Sequence, residues 1–174
     1  MIKIAVGTQL LVSSQIAMSY AAGPSGTAVV ARASGTGHAA WYAVLFFTGG
    51  TGVERFLATK SSEKRVVVAF RGTDFTSVKD ALADIAVIMP SWTYGGGGSV
   101  HLGFLGQYAE QRSDLIARLQ KQYDDGNRNW IFTGHSLGGA LAQLAARDLQ
   151  RLFPSATADL IVFGASRSER LGVI

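Results

Sequence analysis

Residues 129–151 read NWIFTGHSLGGALAQLAARDLQR, and this stretch organises the rest of the chain. It opens with an apolar run at 130–133 that is too short for a helix and is bounded by Gly134, which predicts a buried strand. The apolar residues that follow recur at helical spacing. They are Leu137, Leu141, Leu144, Ala145, Leu149 and Leu152. The stretch therefore predicts a strand, a sharp turn and a helix, with Ser136 in the middle of the turn.

The pattern Gly134-x-Ser136-x-Gly138 has a steric meaning. A serine between a strand and a helix occupies a strained turn, and side chains at the flanking positions would collide with that turn. Its hydroxyl is then exposed at a helix N-terminus, where unpaired N–H groups and the helix dipole favour negative charge. The backbone N–H of Leu137 would be placed to donate to a tetrahedral oxyanion. The turn thus predicts that Ser136 is a nucleophile.

Two other interpretations of this turn are a purely structural turn and a dinucleotide-binding loop, Gly134-x-Ser136-x-x-Gly139. A dinucleotide loop has glycine at its second position, so that a pyrophosphate can reach the backbone. The acidic residue expected about 20 residues later would be Asp159, which precedes the strand predicted at 160–163 instead of ending it. The Gly-Lys-Ser/Thr ending of a phosphate loop is absent. A nucleophile is favoured over a structural turn, and dinucleotide binding ranks third.

Composition narrows the class of protein. A chain of 174 residues fits one domain, and 48% hydrophobic with 16% charged residues excludes general disorder. The net charge of +4 comes from arginines and lysines scattered over predicted helix faces, so nucleic-acid binding is not indicated. There is no cysteine, and His38, His101 and His135 do not stand at metal-ligand spacings. We therefore expect no metal site.

The remaining periodicities predict an α/β fold. Aromatic and β-branched residues predict two antiparallel strands, at 41–47 and 53–59. The continuous apolar run 65–70 predicts a fully buried central strand, and the last strand is predicted at 160–163. An amphipathic pattern predicts a helix over 104–123. Together these elements predict a mostly parallel sheet with an antiparallel N-terminal hairpin and helices on both faces.

Residues 1–40 are predicted to form an N-terminal helix and a loop that lead into the domain at 41–174. Residues 4–20 have an apolar bias behind one positive charge, as a signal peptide would. Polar residues interrupt the run, which favours a packed amphipathic helix and a cytoplasmic protein, with secretion as the alternative. No segment is long and apolar enough to span a membrane.

Four spaced motifs make the pattern specific: FRGT at 70–73, VHLGF at 100–104, TGHSLGGA at 133–140 and VFG at 162–164. In this order and spacing they resemble the class 3 (fungal-type) lipase family of α/β-hydrolases. The resemblance extends over residues 41–167. It implies ester hydrolysis on an α/β-hydrolase sheet, with water as the co-substrate and no cofactor.

The resemblance also implies roles for single residues. Ser136 would be the acyl-accepting nucleophile, and Thr73 would lend its N–H and its hydroxyl to an oxyanion hole beside the N–H of Leu137. Residues 74–92 would form a lid that meets lipid, although their apolar pattern equally fits a helix packed on the core. The implied substrate is an ester or an acyl lipid, met by transient contact with a lipid surface.

One part of the family pattern is not found. The family places its catalytic aspartate and histidine after the strand that ends at Gly164, and this sequence continues for only ten residues, to Ile174. Its Ser166-Arg167 stands where the family has Pro-Arg. The resemblance therefore implies a C-terminally truncated lipase whose ester hydrolysis is impaired. The alternative is a catalytically silent lipase-like fragment or an acyl-chain-binding scaffold.

The two histidines inside the motifs are expected to be structural. In the family, the histidine that matches His101 belongs to a helix start and is not the base. His135 adjoins the nucleophile, where the geometry of an elbow turns the side chain away from Ser136. Because the strand at 160–163 would lack a neighbour, we further expect an uncovered sheet edge and self-association.

Overall fold

The computed structural model describes residues 54–72, 89–94 and 96–164, together with the backbone of four strands, at 3–4, 28–29, 42–48 and 169–170. The helix expected within residues 4–20, the expected oxyanion residue Thr73 and most of the segment 74–92 lie outside the described residues. The division at residue 40 likewise stays a prediction.

The described part contains two helices and nine strands, numbered here in chain order. Helix α1 is Leu102–Asp124 and helix α2 is Leu137–Leu152. The strands are β1 Lys3–Ile4, β2 Ala28–Val29, β3 Tyr42–Thr48, β4 Glu54–Lys60, β5 Arg65–Phe70, β6 Ser99–Val100, β7 Asn129–His135, β8 Thr157–Phe163 and β9 Glu169–Arg170. A short 3₁₀ turn, Ser61–Glu63, joins β4 to β5.

The main sheet has the strand order β1-β8-β7-β5-β4-β3-β2 in the described part of the chain. Pairing is parallel from β1 through β8 and β7 to β5, and antiparallel from β5 through β4 and β3 to β2. Five of these strands, β1, β3, β5, β7 and β8, therefore share one direction. The mixed, mostly parallel sheet with an antiparallel N-terminal hairpin is confirmed.

The prediction that the sheet ends at an uncovered β8 was wrong. The strand β1 pairs with β8 in parallel, with Lys3 beside Asp159 and Ile4 beside Leu160. Sequence periodicity cannot reveal this pairing, because it joins segments at opposite ends of the chain. The strand β8 also starts at Thr157, earlier than predicted, since its first residues pair with the start of β7. Self-association stays a prediction, but the uncovered edge from which it was inferred is absent at β8.

The main core lies between the sheet and the two helices. Alternate strand residues such as Val66, Val68 and Phe132 face this core and are fully buried. The helix α2 packs here through small residues, among them Ala142 and Ala146, which lets the helix axis approach the sheet closely. Both described helices lie on this face. The opposite face is buried too, at Phe56, Ala58, Val67 and Ala69.

A polar contact inside this core joins α1 to α2. The carboxylate of Asp148, on α2, has no exposed surface. It accepts hydrogen bonds from the Tyr108 hydroxyl at 2.7 Å and from Nε and Nη2 of Arg112 at 2.6 and 3.2 Å. Since a buried charge is tolerated only when it is paired and hydrogen-bonded, these three side chains act as one unit.

The loop that precedes β6 is held against the same two helices. The Arg112 guanidinium lies 4.3 Å from the centre of the Tyr94 ring, and Arg151 donates to the Tyr94 carbonyl at 3.0 Å. The indole of Trp92 is 1% exposed and belongs to the core. At the carboxyl end of 74–92 this burial fits the alternative of a segment packed on the core, and the lid stays a prediction.

Candidate active site

The predicted elbow is present between β7 and α2. Strand β7 ends at His135, α2 begins at Leu137, and Ser136 between them has φ 52° and ψ −119°. A non-glycine residue rarely adopts a positive φ, and such a conformation costs on the order of 1–3 kcal/mol. Strain of this kind persists only where the surrounding structure imposes it. Here the neighbouring glycines show how it is imposed.

The glycines that flank Ser136 are required by close main-chain contacts. A Cβ atom added at Gly134 would lie 2.7 Å from the backbone nitrogen of Gly139. One added at Gly138 would lie 2.9 Å from the carbonyl carbon and oxygen of Arg71. Real Cβ atoms essentially never approach other atoms closer than 3.0 Å. The steric prediction for the Gly-x-Ser-x-Gly pattern is therefore confirmed.

Hydrogen bonds tie the main chain of Ser136 to its surroundings. Its N–H donates to the carbonyl of Phe163 at 3.0 Å, and its carbonyl accepts from Gly139 and Ala140 at 3.0 and 3.2 Å. Its side chain makes no capping hydrogen bond to α2. Among the residues that the structure describes, the Leu137 N–H has no acceptor. A hydroxyl and a backbone donor are thus both available at the start of α2.

The elbow lies at the carboxyl edge of the parallel strands. Phe70 at the end of β5 pairs with Gly134, and Phe163 at the end of β8 pairs with His135. Sites in sheets of this kind gather at this edge. The loop after β5 starts from a fixed point, because Arg71 donates its N–H to the Glu54 carbonyl at 2.8 Å and pairs with the Glu54 carboxylate at 2.7 Å. This loop leads to Thr73.

The two motif histidines occupy different places. His101 stands at the N-cap of α1, its ring centre is 4.9 Å from that of Phe104, and its buried Nδ1 has no hydrogen-bond partner within the described ranges. The half-buried imidazole of His135 lies next to Gly72 and Gly164. That neither histidine is the catalytic base stays a prediction.

The described residues contain no group of three or more histidines and carboxylates that could hold a metal ion. None of the helices in the described part is long and apolar enough to cross a membrane. Asp159 is the third of the seven residues of β8, upstream of the carboxyl edge where Ser136 lies.

Comparison with known proteins identifies the family. The model of the family "Lipase (class 3)" matches residues 67–170, which is more than half of the chain. The chain belongs to the class 3 lipase family. The lipase of Rhizomucor miehei is 37% identical over 94 residues, covering 53% of this chain and 25% of that protein. The secreted mono- and diacylglycerol lipase LIP4 of Malassezia restricta is 33% identical over 128 residues, covering 68% of this chain and 42% of that protein.

Solved lipase structures share the fold of this class 3 lipase chain. The triacylglyceride lipase of Rhizomucor miehei superposes with a TM-score of 0.63 at 29% identity, over 71% of this chain and 48% of that one. Lipase II of Rhizopus niveus gives 0.64 at 29% identity, over 72% and 48%. The α/β-hydrolase fold is thus confirmed. The chain spans between 25% and 42% of the length of the curated relatives it matches.

Proposed function

We propose that this class 3 lipase chain is a carboxylic ester hydrolase that acts through a Ser136 acyl-enzyme. The observation that carries the proposal is the conformation of Ser136, a positive φ maintained by glycines on both sides. A structural turn has no need for a strained, uncapped serine at a helix N-terminus. A nucleophile does need it, because the hydroxyl must stand clear of the chain.

The chemistry follows from the atoms available at the elbow. The Ser136 oxygen attacks the ester carbonyl, the alcohol leaves, and water then releases the acid from the acyl-enzyme. The N–H of Leu137 donates to the oxyanion that forms at each attack, and Thr73 supplies the second donor. The group that takes the serine proton is not assigned, because His101 and His135 are both expected to be structural.

The names of the relatives support the substrate class. Lipases and mono- and diacylglycerol lipases act on acyl esters, so an ester or acyl lipid, met by transient contact with a lipid surface, is the proposed substrate. Several relatives are named as secreted. Their names favour secretion of this protein, and nothing supports the cytoplasmic location that the N-terminal pattern suggested.

A second candidate function is an acyl-chain-binding scaffold that retains the elbow without turnover. The observation that favours it is the place of His101 at the N-cap of α1, where its ring packs against Phe104. An unactivated serine is a poor nucleophile, and in a serine protease loss of the triad costs about 10⁶ in turnover. The scaffold would bind acyl esters and leave them intact.

A fluorophosphonate probe tests the nucleophile, with peptide mapping to locate the label. We expect the label on Ser136, and we expect it to be absent from Ser136→Ala. The matched control is Ser113→Ala, which removes an exposed serine of α1 and should be labelled like the wild type. Circular dichroism checks that both variants fold. A label on another residue, with Ser136 unmodified, contradicts the proposal.

Hydrolysis of a nitrophenyl butyrate separates the two candidate functions. If the base is absent, turnover stays barely above background and is unchanged in folded His101→Ala. Turnover at ordinary enzyme rates that disappears in folded Ser136→Ala establishes the hydrolase. If it also disappears in folded His101→Ala, His101 is the base and its structural assignment is wrong. A probe-labelled Ser136 without turnover supports the scaffold.

A further inference from the structure

The residue before the proposed nucleophile occupies a position that the proposed function does not yet use. His135 is the last residue of β7, and its neighbours across the sheet are the ends of β5 and β8. A glycine follows each of these strands: Gly164 comes directly after β8, and Gly72 follows β5 after Arg71. The ends of the two strands thus flank His135 on opposite sides.

The loop after β5 lies directly against His135. A Cβ atom added at Gly72 would lie 2.6 Å from the His135 carbonyl oxygen and 3.7 Å from Nδ1 of its ring. Since the first of these contacts is with backbone, no side chain fits at position 72 while His135 stays in place. Gly72 and the main chain of His135 therefore lie close together.

The loop after β8 meets the other edge of the same ring. A Cβ atom added at Gly164 would lie 3.5 Å from Nε2 and 3.8 Å from Cδ2 of His135, which is ordinary van der Waals contact. Gly164 also has φ +53°, a conformation that favours glycine. The half-buried imidazole thus has its Nδ1 near Gly72 and its Nε2 near Gly164.

The same two strand ends hold Ser136. Its N–H is bonded to the carbonyl of Phe163, immediately before Gly164, and Gly138 packs on the main chain of Phe70 and Arg71, immediately before Gly72. A change in the separation of the two loops would therefore move the serine and the start of the oxyanion loop relative to each other.

We propose that His135 is a positioning residue, whose imidazole sets the separation of the Gly72 and Gly164 loops and thereby the geometry around Ser136. The effect of His135 on the reaction rests on the proposed function of Ser136. The effect of His135 on the two loops rests only on the contacts described above. Misplacement of reacting groups by 1 Å can cost about 10²-fold in rate, so a small shift of either loop has a measurable effect.

The first arm of the test measures the loops without any chemistry. Backbone amide hydrogen exchange is followed at Arg71, Gly72 and Gly164 in the full chain and in His135→Ala. We expect exchange at these amides to become at least about tenfold faster, corresponding to the loss of local contacts. The matched control is Gln150→Ala, which removes a half-buried side chain that bonds the Ala156 carbonyl at the far end of α2. It should leave these amides unchanged.

The second arm measures the fluorophosphonate labelling rate of Ser136 from pH 6 to 9. We expect His135→Ala to slow labelling by about 10–10²-fold at every pH, without a change in the shape of the pH profile. His135→Asn and His135→Gln should each recover part of the rate, because each retains one polar group of the ring. If His135→Ala does not fold, these two variants carry both arms.

The outcomes separate the two proposals. Unchanged exchange at Gly72 and Gly164 in a folded His135 variant overturns the positioning role. Loosened loops with an unchanged labelling rate overturn its effect on Ser136, and a lost pH inflection identifies His135 as a base instead. If the wild type is never labelled, the proposed function fails, while the exchange arm still decides whether His135 sets the loops.

Discussion

The elbow and the contact between α1 and α2 are held together in opposite ways. At the elbow, main-chain atoms of Gly134 and Gly138 touch other main chain, and no room is left for even one added carbon. Between the helices, long side chains meet in the core, with Asp148 bonded to Tyr108 and Arg112. Close main-chain packing makes a region intolerant of added atoms. A buried side-chain network makes a region intolerant of removed atoms, because loss of one side chain leaves its hydrogen-bond partners buried and unpaired.

Gly138→Ala should have the largest effect, because its new Cβ would collide with the main chain of Phe70 and Arg71. The start of α2 and the end of β5 would have to move apart, which would disturb the packing of the helix on the sheet. We therefore expect a loss of more than about 4 kcal/mol in the free energy of unfolding, or failure to fold. Urea denaturation measures it. The matched control is Gly106→Ala in α1, where an added Cβ meets nothing within 4 Å. There alanine should stabilise by about 0.5–1 kcal/mol, and equal effects at the two sites would contradict the tight elbow.

Asp148→Ala tests the other region by removing the acceptor that Tyr108 and Arg112 share. Breaking a buried, hydrogen-bonded charge pair from one side costs about 3–5 kcal/mol, which we expect as a lower urea midpoint. The control is Asp125→Ala, which removes an exposed carboxylate paired with Lys121 on the surface and should cost less than about 1 kcal/mol. Similar losses in the two variants would show that the buried network does not stabilise the helix pair.

A smaller effect should appear only at alkaline pH. Burial, and then the charge of Asp148, raise the pKa of the Tyr108 hydroxyl above its ordinary value of 10.0. Its contribution to stability is complete below about pH 10 and falls as the pH rises further, since the unfolded chain loses the proton that the folded chain keeps. The free energy of unfolding should fall by up to about 1.4 kcal/mol per pH unit from this group. In Tyr108→Phe, the free energy of unfolding should decline less steeply with pH between pH 9.5 and 11.5 than in the wild type. If the two curves of free energy against pH are parallel, the Tyr108 hydroxyl does not contribute to the pH dependence of stability.

Local patterns predicted the elements well. The central strand was predicted at 65–70, where β5 lies, and the helix predicted over 104–123 runs over Leu102–Asp124. The elbow was predictable because the Gly-x-Ser-x-Gly pattern stands within five consecutive residues, although Gly138 is required by contacts with the distant Phe70 and Arg71. Leu137 is placed at the start of α2 as expected, whereas Thr73 lies outside the described residues.

The network around Asp148 could not be predicted in the same way. In sequence Asp148 is one more charged residue of a helix, next to Arg147. Its partners Tyr108 and Arg112 are 40 and 36 residues away, and nothing local distinguishes a buried carboxylate from a solvated one. The N-terminal strand β1 was missed for a similar reason, since its partner β8 lies at the other end of the chain.

Glycine spacing and apolar periodicity therefore determine the order of strands and helices, the strained turn at Ser136 and the family. These features depend on backbone sterics and on which face of an element is apolar, and both act over a few residues. Tertiary structure alone decides that Asp148 is buried, that Trp92 belongs to the core and that His135 lies between Gly72 and Gly164. Those facts depend on which distant segments meet when the sheet assembles. Contacts between residues that are far apart in the sequence produce no periodic sequence pattern from which they could be predicted.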